Sequence, residues 1–467
     1  MLLVGVMMVP CLAVSLIYRD GQALAFLESM GIILAVSLPI ALFVKPENKQ
    51  MYARDGMAIA GLSWICMSVM GALPLVLGGI CGLADAFFEI ASGFTTTGAT
   101  IMDDVSVLPQ SVNFLRCFTH WFGGMGVLVL TTALFPSGNG AGAALAKAES
   151  SGPSFSKLLP KLGDNSKLLY FIYSALTLLL VIALLICGLP LYDSIIHAFS
   201  TAGTGGFSNQ ARSIMDYNST AIDIVISVFM MLFGVNFAIY FRLLAKEYKL
   251  ALKNEEFWFY TGISAVAVLV IALNIAKTVG GFFPGLEHAF FQVGAVISTT
   301  GFSSRDFDTW PMLSKMILLL LMLFGSCAGS TAGGLKLIRV LLLGKLARRE
   351  IGKAYAPRKV KVIKLDGKSV SEDMLGRIAV YFFIYIAIIL FGMLVLAISG
   401  CTMTESLSGS ISCMSNIGPA FERLGPMANY GWLPGWTKIV LSLIMIAGRL
   451  EIYPLLILFA PSAWRKN

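Results

Sequence analysis

Four short stretches of the chain align without a gap and carry a glycine at one shared offset. They read LADAFFEIASGFTTTGAT (Leu83 to Thr100), LYDSIIHAFSTAGTGGFS (Leu191 to Ser208), LEHAFFQVGAVISTTGFS (Leu286 to Ser303) and MTESLSGSISCMSNIGPA (Met403 to Ala420). The shared glycines are Gly98, Gly206, Gly301 and Gly418, each at the end of a run that can form a short helix. A glycine there lets the backbone take φ > 0 and turn its carbonyls toward a common axis. The carbonyls belong to Thr95, Thr96 and Thr97; to Ala202, Gly203, Thr204 and Gly205; to Ser298, Thr299 and Thr300; and to Ser415, Asn416 and Ile417. Four such loops make an oxygen-lined ring that can replace the water shell of a dehydrated cation such as potassium. Ser and Thr hydroxyls can brace the loops from behind or add ligands. Each short helix would aim its partially negative C-terminal end at the centre. No ring of carboxylates stands at the glycines, which argues against a divalent site.

Further residues interrupt apolar sequence. Asp85, Asp193 and Glu405 occupy equivalent positions at the starts of the short helices, with His288 in the third. A carboxylate there complements a helix dipole, or it attracts cations into the mouth; both readings stand. Glu89 and His197 are equivalent to each other and are expected behind the loops. The stretch GSCAGSTAGG (Gly325 to Gly334) is too rich in poor helix formers to continue the apolar segment it interrupts. It reads as a helix–helix contact or as a flexible gate after the third loop. Arg449 lies inside the last apolar segment, where an arginine must face a polar path or an acidic partner; Glu451 is the partner nearest in sequence.

The elements that position these residues follow from composition. Of 467 residues, 57% are hydrophobic and 13% charged, with a mean hydropathy of +0.81, the profile of an integral membrane protein. Apolar segments fall near residues 2–18, 24–44, 57–80, 114–135, 168–189, 220–241, 257–276, 312–346, 375–399 and 437–460. The first lacks a basic leader and is followed at once by a second apolar segment, so it reads as a retained anchor. Lys and Arg concentrate in alternate connections: Lys45, Lys49 and Arg54; Lys147, Lys157, Lys161 and Lys167; Arg242, Lys246, Lys249 and Lys253; twelve between Lys336 and Arg377; and Arg465 with Lys466. By the positive-inside rule ten crossings put these connections and both termini in the cytoplasm. The net charge of +8 is therefore topology, and nucleic acid is not an expected partner. All four aligned stretches fall on the side poor in Lys and Arg, each too short to span. That is the pattern of re-entrant helices, whose irregular ends are tolerated only where they line a polar cavity. The chain so divides into two leading helices (1–50) and four helix–pore helix–helix units (51–140, 141–250, 251–365 and 366–467). Small residues are common at membrane helix contacts, but four stretches in one register favour a pore. Eight scattered cysteines and three histidines provide no metal-ligand spacing, which argues against a membrane enzyme.

The loops TTTGAT, STAGTGGFS, STTGFS and SNIGPAF, with GSCAGSTAGGLKLIRV and AGRLEIYP, resemble those of the Trk/Ktr/HKT superfamily of potassium transporters, most closely its bacterial TrkH branch. The resemblance covers essentially the whole chain. It implies an all-α integral membrane fold, with two leading transmembrane helices and four pseudo-symmetric units around one central pore. It implies a potassium filter at Thr96, Thr97, Gly98, Thr204, Gly205, Gly206, Thr299, Thr300, Gly301, Asn416, Ile417 and Gly418. It implies an intramembrane gating loop at Gly325, Ser326, Cys327, Ala328, Gly329, Ser330, Thr331, Ala332, Gly333 and Gly334, and an Arg449 that projects into the permeation path. The transported ion would be K+, with no organic cofactor in this chain. A homodimer with one pore per subunit, a cytoplasmic TrkA-like nucleotide-binding regulatory subunit, membrane lipid contact and a bacterial inner-membrane location are implied as well. Channel-like conduction is expected, with proton- or sodium-coupled transport as the alternative. The fourth loop, with Asn416, Ile417 and Pro419, departs most from the TTG pattern, and selectivity is least constrained there.

Overall fold

The structure, a computed structural model, describes residues 1–43, 53–126, 162–356, 358 and 361–461. Lys45, Lys49, Lys147, Lys157, Lys161, Lys359, Arg465 and Lys466, the unit boundaries expected at residues 50 and 140, and the far end of the segment expected over 114–135 lie outside them.

Apolar composition becomes helix wherever caps and breaks allow. Helices α1 (Leu2–Tyr18) and α2 (Ala23–Phe43) lead the chain. The first unit holds α3 (Ala53–Leu77), the short α4 (Leu83–Phe94) and α5 (Gln110–Met125). The second holds α6 (Leu162–Ile186), the short α7 (Leu191–Gly203), α8 (Thr220–Phe233), α9 (Phe237–Leu244) and α10 (Tyr248–Leu252). The third holds α11 (Glu255–Ile275), the short α12 (Phe282–Ile297), α13 (Met312–Met322) and α14 (Leu337–Tyr355). The fourth holds α15 (Glu372–Ile398), the short α16 (Met403–Ser415), α17 (Gly435–Arg449) and α18 (Tyr453–Leu456).

Five of these, α2, α3, α6, α11 and α15, are long and apolar enough to cross a membrane, and the pair α8–α9 makes a sixth if counted as one bent span. A helix of 21 residues such as α11 reaches about 30 Å, the thickness of a hydrocarbon core. Their outward faces carry exposed Leu178, Leu179, Ile182, Phe383, Leu390 and Leu394, a surface suited to lipid and not to water.

The straight crossing expected over 220–241 is bent by 90° between α8 and α9. Gly234 ends the first piece, and Asn236 caps the second by accepting a bond from Ala238 N at 2.9 Å. An Asn side chain at that position starts a new helix in a new direction. The segment expected over 437–460 also breaks: Glu451 and Ile452 take φ of 57° and 71°, so the chain turns after Arg449 and before α18.

The units close on one another in a circle. α5 packs on α7, α8 on α12, α13 on α16, and α17 returns to α4. Each outgoing helix thus supports the short helix of the next unit. The leading pair lies outside the circle, α1 against α5 and α2 against α3.

Candidate ion pathway

The four short helices, 12 to 16 residues long, all end in the same way. The amide five residues beyond a carbonyl bonds back to it: Thr97 N to Ser92 O and Gly205 N to Ser200 O at 2.8 Å, Thr300 N to Ala295 O at 2.8 Å, and Ile417 N to Ser412 O at 3.0 Å. This helix-terminating motif requires a left-handed residue just past the last turn. The residues there are Thr96, Thr204, Thr299 and Asn416, with φ of 55°, 55°, 57° and 58°. Asn tolerates that conformation; a β-branched Thr is rarely found in it, and strain of this kind collects at functional positions. Two residues on, Gly98, Gly206, Gly301 and Gly418 are left-handed again, with φ of 79°, 81°, 77° and 101°.

The doubled turn places each loop against its neighbour. A Cβ on Gly98 would strike Gly205 O, one on Gly206 would strike Thr300 O, one on Gly301 would strike Ile417 O, and one on Gly418 would lie 2.5 Å from Thr97 O. The sequence of contacts runs first loop to second, second to third, third to fourth and fourth to first. Each glycine is thus required twice, for its φ and for the neighbouring carbonyl. All four glycines share the wall of a cavity of about 110 Å³ with Asp103 and Asn429. Backbone oxygens gathered this way can coordinate a monovalent cation stripped of water.

Hydroxyls and buried charges hold the loops from behind. Thr95 and Thr97 hydroxyls lie 2.8 Å apart, and those of Ser298 and Thr300 lie 2.6 Å apart. Asn416 Nδ2 donates to Thr97 Oγ1 at 3.0 Å and to Met445 O at 2.9 Å. Glu89 sits behind the first loop, fully buried, and its Oε1 meets Arg116 Nε at 2.7 Å. Glu89 also accepts from Thr100 Oγ1 and Ile101 N. Arg116 extends to Ser208 O, past the second loop, and lies over the Phe207 ring at 4.2 Å. His197 bridges Asp193 O and Ser208 Oγ. Arg116 was not singled out by its sequence, yet the signal that marks Arg449, an arginine inside an apolar segment, marks it equally.

At the N-terminal ends, Asp85, Asp193 and Glu405 lie in the first turns of their helices, and each also has a specific partner. Asp85 pairs with Lys438 at 2.5 Å, and Asp193 accepts from Asn209 and Tyr217. His288 accepts from Arg305 Nε at 3.2 Å. Glu405 completes a capping box with Thr402 and binds Arg423. The hydrogen bonds from Arg423 hold the Glu405 carboxyl below the usual carboxylate range. Its contribution to stability is therefore full above the ordinary glutamate pKa and is lost only as pH falls through the depressed folded value. In Arg423→Gln the acid limb of thermal stability, followed by tryptophan fluorescence, is expected to move to higher pH.

The break after α13 is a bonded loop and not a disturbed helix. Gly325 N donates to Leu335 O at 2.7 Å, closing it at the neck, and Phe237 N donates to Gly329 O at 3.0 Å. Ser330 Oγ turns inward to Cys327 O, and Cys327, Ala328 and Ala332 are buried. The loop lies against the turn that ends the third short helix: Ser326 Oγ donates to Ile297 O and Gly333 N to Thr299 Oγ1, both at 2.8 Å. Gly333 and Gly334 border a second cavity, of about 130 Å³, with Gly124, Lys336 and Arg449.

Arg449, at the end of α17, reaches across that cavity. It donates to Thr331 O at 2.6 Å, to Thr96 Oγ1 at 3.3 Å, and to Gly123 O and Gly124 O at 2.5 Å. Glu451, the partner nearest in sequence, is taken by Arg339 at 2.5 Å. The chain turns at Glu451 and Ile452, directly after the end of α17.

Fold and site together define a polytopic helical membrane protein whose centre is built from four equivalent loops. The TrkH family, described as cation transport protein, matches residues 24–276 and 285–466. The chain is 34% identical to the Trk system potassium uptake protein TrkH of Salmonella typhimurium, over 99% of this chain and 96% of the relative. It is 32% identical to the Trk system potassium uptake protein TrkG of Escherichia coli, over 98% and 95%. The crystal structure of the potassium transporter TrkH from Vibrio parahaemolyticus superposes with a TM-score of 0.89 at 31% identity, covering 99% of this chain and 97% of that one. The chain belongs to the TrkH family of cation transport proteins, which are transporters and not enzymes.

Proposed function

We propose that this protein takes up potassium across a bacterial inner membrane, with both termini cytoplasmic, through a filter built from the four loops. The observation that carries the reading is the closed circle in which each glycine meets the carbonyl of the next loop. In this reading Thr96, Thr97 and Gly98, Thr204, Gly205 and Gly206, Thr299, Thr300 and Gly301, and Asn416, Ile417 and Gly418 supply the ion's oxygen shell. The unit divisions at 51, 141, 251 and 366 give each quarter one loop. Purified protein in liposomes is expected to pass potassium and rubidium in preference to sodium; equal sodium flux would exclude the selective filter.

The loop from Gly325 to Gly334 is proposed as the gate and Arg449 as its latch, since one guanidinium ties the loop to Thr96 and to the end of α5. Arg449→Ala is expected to raise rubidium flux in liposomes several-fold without any other protein present. Unchanged flux would remove Arg449 from gating. The relatives' names, which speak of a Trk system, support a multi-component assembly, proposed here as a homodimer on TrkA-like nucleotide-binding subunits, surrounded by lipid. Channel-like conduction is favoured over proton or sodium coupling. Buried Glu89 is engaged by Arg116, and buried Glu256 by backbone amides, which gives both a structural role. Flux that follows a proton or sodium gradient in place of voltage would reverse that preference.

A further inference from the structure

Glu256 meets the Gly325–Gly334 loop at Ala328, three residues before the carbonyl that Arg449 holds. It lies in the first turn of α11 and is 2% exposed. Its Oε1 accepts from two backbone amides, Ala328 N at 2.7 Å and Ile338 N at 3.1 Å. Ile338 N belongs to the first turn of α14, where amides have no partner within their own helix. Ala328 N lies in the irregular loop itself. One carboxylate therefore ties the loop to the helix that resumes after it, beyond what capping α14 would require. Lys336 adds a second tie in the same place by donating to Ala332 O. The loop is held at two opposite kinds of backbone group, a carboxyl on the Ala328 amide and a guanidinium on the Thr331 carbonyl. Beside Glu256 a cavity of about 190 Å³, lined also by Asn236, Arg242, Ala328 and Ile338, leaves room for the loop to move into.

We infer that Glu256 is a positioning residue of the gate, a second anchor that holds the Gly325–Gly334 loop beneath the filter. The inference rests on the gating reading above, and two separate readouts keep them apart. Cys327, fully buried and adjacent to Ala328, reports the position of the loop; Cys413, fully buried in α16, reports the integrity of the rest.

The test is alkylation of the purified full-length protein by N-ethylmaleimide, mapped by peptide mass spectrometry, alongside rubidium flux in liposomes. Because hydrogen bonds to a charged group are worth more than neutral ones, Glu256→Ala is expected to speed labelling of Cys327 about tenfold. Glu256→Gln should have a smaller effect, since its amide oxygen can still accept from both amides without the charge. Cys413 should stay protected in both variants, and flux without any regulatory protein should rise in the same order. Protection of Cys327 in both variants overturns the inference, as does labelling of Cys413 together with Cys327, which marks general loosening. Faster labelling of Cys327 with unchanged flux upholds Glu256 as the anchor and removes the loop as the gate. Should the alanine variant fail to assemble, the glutamine variant carries the same outcomes.

Discussion

Gly301→Ala is expected to reduce rubidium uptake to background in cells that lack other potassium uptake, while the protein still reaches the membrane. Two costs act on the one added methyl group. An L-residue at φ 77° is disfavoured by about 1–2 kcal/mol. The larger cost is collision: the new Cβ meets Ile417 O, part of the neighbouring loop, and lies 2.9 Å from Pro419 Cδ. Backbone held by a helix terminus cannot yield as a flexible side chain would, so the fourth loop must shift and its carbonyl with it. Gly262→Ala is the matching control. Gly262 lies within α11 with nothing inside 4 Å of its added Cβ, and its uptake should equal that of the parent protein. Parent-level uptake by Gly301→Ala would detach the loops from the conduction path.

The second large effect falls on assembly. Arg116→Leu leaves Glu89 fully buried without its counter-charge, and breaking a buried pair from one side costs about 3–5 kcal/mol. A clear fall in melting temperature of the detergent-solubilised protein is expected. Neutralising both partners as Glu89→Gln with Arg116→Met should restore most of the lost stability, because the uncompensated charge is gone. The double variant should still conduct less well, since Arg116 also bonds Ser208 O beyond the second loop. An unchanged melting temperature in Arg116→Leu would mean that the pair contributes nothing to holding the first two loops together.

What the amino-acid sequence made legible was local. The second left-handed turn of each loop falls on a glycine at one shared offset, so the four loops announce themselves by spacing. The interruption from Gly325 to Gly334 is equally visible, because ten small residues cannot continue a helix. The bend after Phe233 was open to the same reasoning, with Gly234 and Asn236 as a stop and a start, but the unbroken apolar composition around it suggests one straight segment. Contacts between distant segments were not legible. Glu89 and Arg116 come from different helices, Glu256 and Ala328 from different stretches of one unit, and Arg339 takes the carboxylate that lies two residues from Arg449. Each depends on where a chain reversal leaves a side chain pointing, and no periodicity records that.

The head-to-tail order of the loops makes the aperture a circuit of four backbone contacts in series. A displacement of any one loop is handed to the next and returns to its origin, so the opening cannot widen at one quarter alone. Substitutions at two of the glycines should therefore fall short of additivity, the first having already broken the circuit. By the same reasoning, if the loops are the proposed filter, fine adjustment of ion preference is open mainly to the side chains behind them, such as Thr97 and Asn416, which can tighten or slacken one arc while the circuit stays closed.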